Sequence, residues 1–398
     1  MEWYYFSNRS EGPRPKVYLS NAVLYCFALS ISFYAAKITR FSPIYIIYLL
    51  LTPVALFCVA YKSSILVSFD SLVIFFLLLY VILTQIAHIY SGEFINLFIS
   101  LVAYLYIRSM RRSQNELLIL KVLKIMNWVT ISVLIIDTIY RLVYPTVPAG
   151  MEMEYFLSNE LLRFYVFKFN SKLFADSNTV ALIALILYFS NVFVGKLYKR
   201  LYTFRYEKII LVLLLIFTFS RAAYVAFVTG AVFMIITESR SLYKRMFYIG
   251  LILFLAVLFS NYALEYIRND GSFRSKEFII ALAFEKIKKM SLTDLLVGVG
   301  MGESISFLGG IHTHIIFLTY FIETGAIGLF LFLVFVLSYI SRYGALIFLP
   351  VIVVSFSYFL YLGTPFLFVP LALAANLGDF MSEVNPRQSR SHTFPFRM

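Results

Sequence analysis

Several apolar runs in this sequence are long enough to cross a lipid bilayer, and charged residues rarely interrupt them. Between Ile209 and Ile236, for example, the only charged residue is Arg221. A helix that spans the hydrocarbon core needs about 20 mostly apolar residues. Charged residues make up only 14% of the chain and hydrophobic residues 61%, a balance that is not typical of a water-soluble protein. The sequence therefore predicts an all-α, polytopic integral membrane protein.

The apolar runs predict a helical bundle of about 12 transmembrane helices. They lie near residues 17–37, 42–61, 65–88, 93–108, 118–140, 177–195, 208–220, 222–237, 246–264, 314–340, 344–362 and 364–378. Two connections are long, 141–176 and 265–313, and the others are short. Because no internal repeat or low-complexity linker divides the chain, residues 1–398 are expected to form a single integral membrane domain.

Lysine and arginine in the short loops predict the orientation, because these residues are enriched in cytoplasmic loops. Most basic groups fall on one side of the predicted bundle: residues 108–112, 196–208 and 240–245, Arg342 and the tail from Arg387. Both termini are then cytoplasmic and both long loops extracytoplasmic, with Lys37 and Arg40 as the exceptions. This bias accounts for the formal net charge of +13, which therefore does not indicate nucleic-acid binding.

Two basic loops flank Arg221, and both belong on the cytoplasmic side by this rule. The segment between residues 208 and 238 must therefore cross twice or turn back inside the membrane, with Arg221 near the turn. An arginine inside a membrane costs on the order of 2.5–3.5 kcal/mol or more, so it usually faces a cavity and has a partner. The alternative is an arginine whose side chain reaches the surface from a helix end.

The second long loop contains a predicted amphipathic helix. Apolar residues recur in it at helical spacing, which favours a helix on the membrane surface. They are Ile279, Leu282, Ala283, Ile287 and Met290. Arg274 stands just before this helix, either as a functional residue or as a solvated or lipid-phosphate contact.

The same loop ends with an H-x-H pair, His312 and His314. Zinc needs three or four ligands, and the only other histidines are His88 and His392, so no metal site is expected. A neutral histidine at a helix start that faces a cavity can act as a general base. A purely structural histidine is the alternative.

Other residues near the predicted helix ends have structural interpretations. Asp176 or Ser177 is expected to cap the helix that begins there. Glu323 lies nine residues after His314, half a helical turn away, and is expected to make an interhelical hydrogen bond or salt bridge. Gly325 and Gly328 are expected to allow close helix packing.

Four stretches, within residues 175–340, then occur in a fixed order: FADSNTVALIALIL, FTFSRAAYVAF, FRSKEFIIALAF with LLVGVGMGE, and HIIFLTYFIETGAIGLFLF. This series resembles the motifs of the O-antigen polymerase and O-antigen ligase superfamily. In that family an asparagine opens a span, a Ser-Arg pair lies at an outer hairpin, and a further arginine precedes a Gly-x-Gly turn. A histidine then comes four residues before a leucine, nine before a glutamate and eleven before a glycine. That spacing selects His314, although the family often has asparagine at the next position, where this chain has Ile315.

The resemblance implies a GT-C-like bundle in a bacterial inner membrane, with its active site on the periplasmic face. It implies transfer of a glycan from undecaprenyl diphosphate to a sugar hydroxyl. Arg221 and Arg274 would stabilise the diphosphate leaving group, and His314 would accept the proton of the attacking hydroxyl. Substrate-binding roles are expected of Arg163, Lys168, Lys172, Asn178 and Ser220. No metal or other cofactor is expected where arginines neutralise the leaving group.

The expected partners are membrane lipids, the undecaprenyl-diphosphate-linked oligosaccharide, a chain-length regulator and a flippase, but no nucleic acid. A surface-polysaccharide polymerase is the first interpretation. The alternatives are an O-antigen ligase, which transfers glycan to lipid A core, and a non-enzymatic lipid-linked oligosaccharide flippase. A flippase would favour charged residues along a central path, whereas the predicted spans hold few: Asp70, Asp137 and Glu323.

Overall fold

Each of the twelve predicted spans carries a helix in the computed structural model of the chain. The structure describes residues 15–33, 43–61, 68–110, 116–147, 150, 152–158, 163–174, 176–198, 204–239, 241–258, 271–313, 315–356 and 364–384. Within these residues the fold is all-helical and has no strand. Their α-helices are α1 (Pro15–Ser30), α2 (Pro43–Tyr61), α3 (Phe69–Gln85), α4 (Gly92–Ser109), α5 (Glu116–Val143), α6 (Met153–Ser158), α7 (Ser177–Leu197), α8 (Arg205–Ile216), α9 (Arg221–Glu238), α10 (Leu242–Leu258), α11 (Gly271–Ile287), α12 (Leu292–Val297), α13 (Ser304–Phe307), α14 (Ile316–Tyr343), α15 (Phe348–Ser355) and α16 (Pro365–Val384).

Within the part of the chain that the structure describes, five helical segments have the length and composition of membrane spans. They are Phe69–His88, Glu116–Val143, Ser177–Leu197, Ile316–Tyr343 and Pro365–Glu383. Three shorter apolar helical segments lie at Asn21–Ser30, Tyr45–Phe57 and Arg221–Thr237. These helices confirm the coarse prediction of a helical membrane protein, and the number of crossings stays a prediction.

Helix α16 is apolar on almost every side, and it lies at the centre of the bundle. It packs against α4, α5 and α7, and every residue from 364 to 377 is buried. A helix that is hydrophobic all round is expected to be surrounded by other helices. The few polar groups on α16 therefore face protein and need partners on neighbouring helices.

Arg108, in the last turn of α4, supplies such a partner at one end of the bundle. Its buried guanidinium donates to Asp379 of α16 and to the Tyr343 hydroxyl of α14, both at 2.9 Å, and pairs with Asp70 of α3 at 3.2 Å. Arg342 of α14 also pairs with Asp379. The prediction that Arg108 lies in a loop is wrong. Arg108 belongs to α4, and its side chain joins α4 to α3, α14 and α16. We call this place the Arg108 end.

The chain turns back just before Arg221. Helix α8 ends at Ile216 and α9 begins at Arg221. Three turn residues and one extended residue, Ser220, lie between them. Ser220 Oγ donates to Asn178 Oδ1 near the start of α7, at 2.8 Å. Further along the two helices, a Cβ atom on Gly230 would touch the ring of Phe189. Helices α7 and α9 therefore run in the same direction with α8 returning between them, which confirms the predicted turn.

This turn lies at the opposite end of the bundle from Arg108. Helix α7 starts at the turn, whereas Phe193 in its last part lies beside Gly378 of α16, one residue before Asp379. Helix α5 ends at the same level as the turn, since Arg141 in its last turn donates to the carbonyl group of Phe217. We call this place the Arg141 end.

Helix α14 is interrupted at Gly325, where φ is +67°. The carbonyl group of Ile322 accepts a hydrogen bond from the backbone N–H of Val299 at 2.8 Å, and that of Thr324 accepts one from the Tyr80 hydroxyl at 2.6 Å. A break inside an apolar helix is tolerated where protein donors satisfy the freed carbonyl groups. The segment after α12 and helix α3 therefore stabilise the break.

We predict that Gly325→Ala destabilises the protein. Alanine at this φ would be strained, and its Cβ would lie 2.3 Å from the carbonyl oxygen of Leu296. Left-handed strain and overpacking together should cost about 2–5 kcal/mol. Thermal unfolding followed by size-exclusion chromatography in detergent measures the change. Gly250→Ala in α10 is the control, because nothing lies within 4 Å of its added Cβ. Equal unfolding temperatures in the two variants would contradict the prediction.

The helix directions also predict which ends of α8 and α9 share a side of the membrane. Single cysteines that replace Arg205 at the start of α8 and Leu242 at the start of α10 should react with an impermeant maleimide from the same side. A cysteine at Phe217, which is 42% exposed, should react from the other side. Right-side-out and inside-out vesicles distinguish the two. Labelling of positions 205 and 242 from opposite sides would refute the turn.

Candidate functional site

A group of basic and aromatic side chains lies at the Arg141 end. The Lys168 ammonium lies 4.5 Å from the centroid of the Tyr165 ring, and the Arg221 guanidinium carbon lies 5.3 Å from it. Arg221 also donates a hydrogen bond to the Tyr165 hydroxyl. Tyr165 therefore holds two cations beside a single ring, because the negative face of an aromatic ring attracts positive charge.

Two further cations extend this group towards solvent. The guanidinium carbon of Arg163 lies 4.8 Å from the centroid of the Phe164 ring. The ammonium of Lys172 lies 5.6 Å from the centroid of the Tyr140 ring. Both basic side chains are exposed. We call Arg163, Lys168, Lys172 and Arg221 the basic cluster.

Ring stacking attaches the first long loop to the turn before α9. The rings of Phe164 and Phe219 stack with centroids 5.4 Å apart, and Phe167 lies 5.6 Å from the same Phe219 ring. Phe219 belongs to the turn, and the other two belong to the loop. These contacts bring the loop cations to the turn that carries Arg221.

Asn178 and Ser220 meet beside the basic cluster. Asp176 caps α7 by accepting from the Thr179 N–H at 3.1 Å, which confirms the expected N-cap. Its other carboxylate oxygen accepts from the Asn178 side-chain amide at 2.8 Å. That amide is thereby turned so that its oxygen accepts from Ser220. The cap thus orients the residue that links α7 to the turn.

Below these residues lies a buried ion pair that the sequence analysis missed. Arg141, 0% exposed, donates to Asp137 at 3.1 Å and to the carbonyl groups of Phe167 at 2.9 Å and Phe217 at 3.3 Å. Asp137 in turn accepts from Ser171 Oγ at 2.8 Å. The signal in the sequence is an aspartate followed four residues later by an arginine in an apolar helix.

The structure places Arg274 on a different element. The helix predicted to follow Arg274 begins earlier, at Gly271, so the prediction that Arg274 precedes it is wrong. Ala283 of this helix, α11, is buried in a small core with Leu308 and with Ile322 of α14, and Leu282 and Ile287 pack against that core. This apolar face packs against α14, and the expectation that the helix lies on the membrane surface stays a prediction. The Arg274 side chain is exposed.

The exposed face of α11 carries an ion pair. Lys289 donates to Glu285 at 2.8 Å, and this hydrogen bond lowers the pKa of the Glu285 carboxyl. The exposed part of the helix carries charged and apolar residues together, since Phe278 and Phe284 are also exposed.

A glycine-rich segment connects α12 to α13 at the break in α14. Gly298, Gly300 and Gly302 all have positive φ, and a Cβ atom on Gly298 would lie 2.2 Å from the Glu323 carbonyl oxygen. The Glu323 carboxylate accepts from Ser304 Oγ of α13 at 2.6 Å, which confirms the predicted interhelical hydrogen bond. Glycine is required here because the backbones approach so closely.

Gln85 of α3 holds the same segment from the other side. Its amide nitrogen donates to the Val297 carbonyl group, and its amide oxygen accepts from the Met301 N–H, each at 3.0 Å. Gln85 was missed in the sequence because one glutamine near a helix end has no distinctive pattern.

The structure thus brings together Arg163, Lys168, Lys172, Asn178, Ser220 and Arg221, and carries Arg274 on a separate helix. His314 lies outside the described residues, and His312 is exposed. Among the described residues, no group of three or more His, Cys, Asp or Glu side chains is placed to hold a metal ion. The expectation that no metal is needed stays a prediction. Comparison with protein-family models and with curated proteins returned no match.

We predict that Asp176→Ala destabilises this end of the bundle. The change removes the α7 cap and the hydrogen bond that orients Asn178, so the unfolding free energy should fall by about 0.5–2 kcal/mol. Asp176→Asn is the matched control, because asparagine is also a good cap. Chemical denaturation in detergent measures both. A loss of equal size in the two variants would show that capping is not the cause.

Proposed function

We propose that this protein is a membrane-embedded, metal-independent glycosyltransferase that polymerises surface polysaccharide. It would join oligosaccharide units carried on undecaprenyl diphosphate at the periplasmic face of a bacterial inner membrane. The resemblance of four ordered sequence stretches to the O-antigen polymerase and ligase superfamily supports this proposal. In this proposal the chain crosses the membrane about 12 times in a GT-C-like bundle with both termini cytoplasmic.

The observation that carries the proposal is the pair of cations on Tyr165. Lys168 and Arg221 lie within 4.5 and 5.3 Å of one ring centroid, where apolar helices end. A lipid diphosphate has this same division, with an apolar chain in the membrane and two phosphates at its surface. Arginine presents a planar fork that matches phosphate oxygens.

The chemistry breaks the bond between the anomeric carbon and the diphosphate oxygen of the donor. The acceptor hydroxyl attacks that carbon, and the electron pair of the broken bond leaves with the diphosphate. Arg221 and Arg274 would stabilise the developing negative charge, which counts for more in a site shielded from water. His314 would accept the hydroxyl proton.

The positions of the buried charges favour a transferase over a flippase. Arg108 with Asp70 and Asp379 lies at one end, and Arg141 with Asp137 lies at the other. Between these ends, the described part of α16 presents a continuous buried apolar surface. The buried ion pairs of the described residues thus lie at the two ends, and the buried Glu323 is bonded to Ser304 of α13. This arrangement does not make the central path that a charged, lipid-linked substrate would follow across the membrane.

Glycan analysis of a deletion strain tests the proposal and separates it from a ligase. Loss of all chains longer than one repeat unit on lipid A core supports a polymerase. Polymer that accumulates on undecaprenyl diphosphate indicates a ligase. Unchanged glycan of both kinds refutes both activities.

We predict that Arg221→Lys lowers turnover of a synthetic lipid-linked repeat unit by about 10²-fold, because lysine keeps the charge but loses the fork. Arg205→Lys is the matched control. Arg205 is the first residue of α8 as Arg221 is of α9, but it lies at the far end of its helix from the basic cluster. Turnover of purified variants in detergent is the measurement. Full activity of Arg221→Lys would remove Arg221 from the mechanism.

We also predict that His314→Gln lowers turnover by about 10²–10⁴-fold, because glutamine cannot act as a base near neutral pH. His312→Gln is the control and should change turnover much less. Each variant is measured with and without a chelator. Equal turnover of His314→Gln and the unmodified protein would exclude the base role, and loss of activity with chelator would indicate a metal.

A further inference from the structure

The ion pair of Arg141 and Asp137 joins two segments that are distant in sequence. Arg141 donates to the carbonyl group of Phe167 in the first long loop, and to that of Phe217 in the turn between α8 and α9. One guanidinium therefore holds the loop that carries Lys168 and the turn that leads to Arg221.

Asp137 fixes the same loop through a second set of hydrogen bonds. One carboxylate oxygen accepts from Ser171 Oγ at 2.8 Å and from the backbone N–H groups of Lys172 and Leu173, both at 3.0 Å. The other oxygen pairs with Arg141. Both oxygens are thus engaged, and both side chains are completely buried. A buried pair satisfied in this way is rigid, because losing any bond leaves a polar group without water.

The basic cluster needs such a support because its cations repel one another. Lys168 and Arg221 carry like charges beside one ring, and their repulsion acts against the ring contacts that attach the loop to the turn. The Arg141–Asp137 pair is neutral overall, so it holds the loop and the turn together without adding charge to the cluster.

We propose that Arg141 is a positioning residue for the basic cluster. It sets the separation between Lys168 and Arg221, and so determines whether both can contact one anionic group such as a lipid diphosphate. The functional part of this inference rests on the proposed function, whereas the positional part does not. Lysine cannot replace Arg141, because a single ammonium does not present the two-sided fork that reaches Asp137 and both carbonyl groups.

Cross-linking tests the positional part without any assay of activity. In a background with Cys26→Ser and Cys58→Ser, cysteines replace Phe164 and Phe219, whose rings stack 5.4 Å apart. A second pair replaces Tyr188 and Phe227, whose rings lie 5.1 Å apart between α7 and α9, and reports on the fold. We expect a short bifunctional thiol reagent to join both pairs while Arg141 is present.

In Arg141→Lys the loop–turn cross-link should fall while the α7–α9 cross-link persists. The double variant Arg141→Met with Asp137→Leu removes both charges at once, and so avoids a lone buried charge that could prevent folding. It should give the same result. Arg108→Lys is the matched control, since it alters the buried arginine at the other end, and both cross-links should persist. An unchanged loop–turn cross-link in either Arg141 variant would overturn the proposal.

Binding of farnesyl diphosphate, a soluble probe, tests the functional part. Its dissociation constant should rise about tenfold or more in Arg141→Lys, as expected for the loss of one charge-assisted hydrogen bond, and stay unchanged in Arg108→Lys. A lost cross-link with unchanged probe binding would overturn the positioning role. If the unmodified protein does not bind the probe, the proposed function fails, and the cross-link still decides whether Arg141 holds the loop.

Discussion

An arginine buried in an apolar helix must find its hydrogen-bond partners within the protein, and two arginines of this kind organise the bundle. Arg108 and Arg141 each lie in the last turn of a long helix and each pair with an aspartate. Removing one partner of a buried pair typically costs about 3–5 kcal/mol, because the other charge is left without compensation. The helices and loops that supply these partners are therefore held in place.

The two arginines connect different parts of the structure, because their partners differ. Arg108 contacts side chains on α3, α14 and α16, so it joins helices to one another. Arg141 contacts two backbone carbonyl groups outside the α-helices, that of Phe167 at the end of a 3₁₀ helix and that of Phe217 in the turn, so it joins a long helix to a loop and a turn. The break in α14 follows the second pattern, because the Tyr80 hydroxyl of α3 donates to the carbonyl group of Thr324 there. Irregular backbone thus occurs in this bundle where a long helix supplies polar groups to it.

The sequence predicted the helices well, because long apolar runs separated by basic loops are typical of the helices of a membrane protein. It also predicted the turn before Arg221, the cap at Asp176 and the hydrogen bond of Glu323. It could not predict the partners of Arg108, since Asp70 and Asp379 are far from it in sequence and nothing in their spacing links them. Periodicity also predicted an apolar face on α11, but not that residues of α14 pack against it, because periodicity does not identify what covers a buried face.

The contrast between the two ends bears on what the Arg141 end can bind. At the Arg108 end the buried Arg108 and the exposed Arg342 pair with carboxylates, which cancel their charge. At the Arg141 end the only buried ion pair of the described residues is neutral, and each cation of the basic cluster lies over an aromatic ring. A ring holds a cation through its quadrupole and brings no negative charge of its own. An anion-binding site needs cations that are held in place, and aromatic rings on a loop fixed by Arg141 and Asp137 hold the cations of the basic cluster.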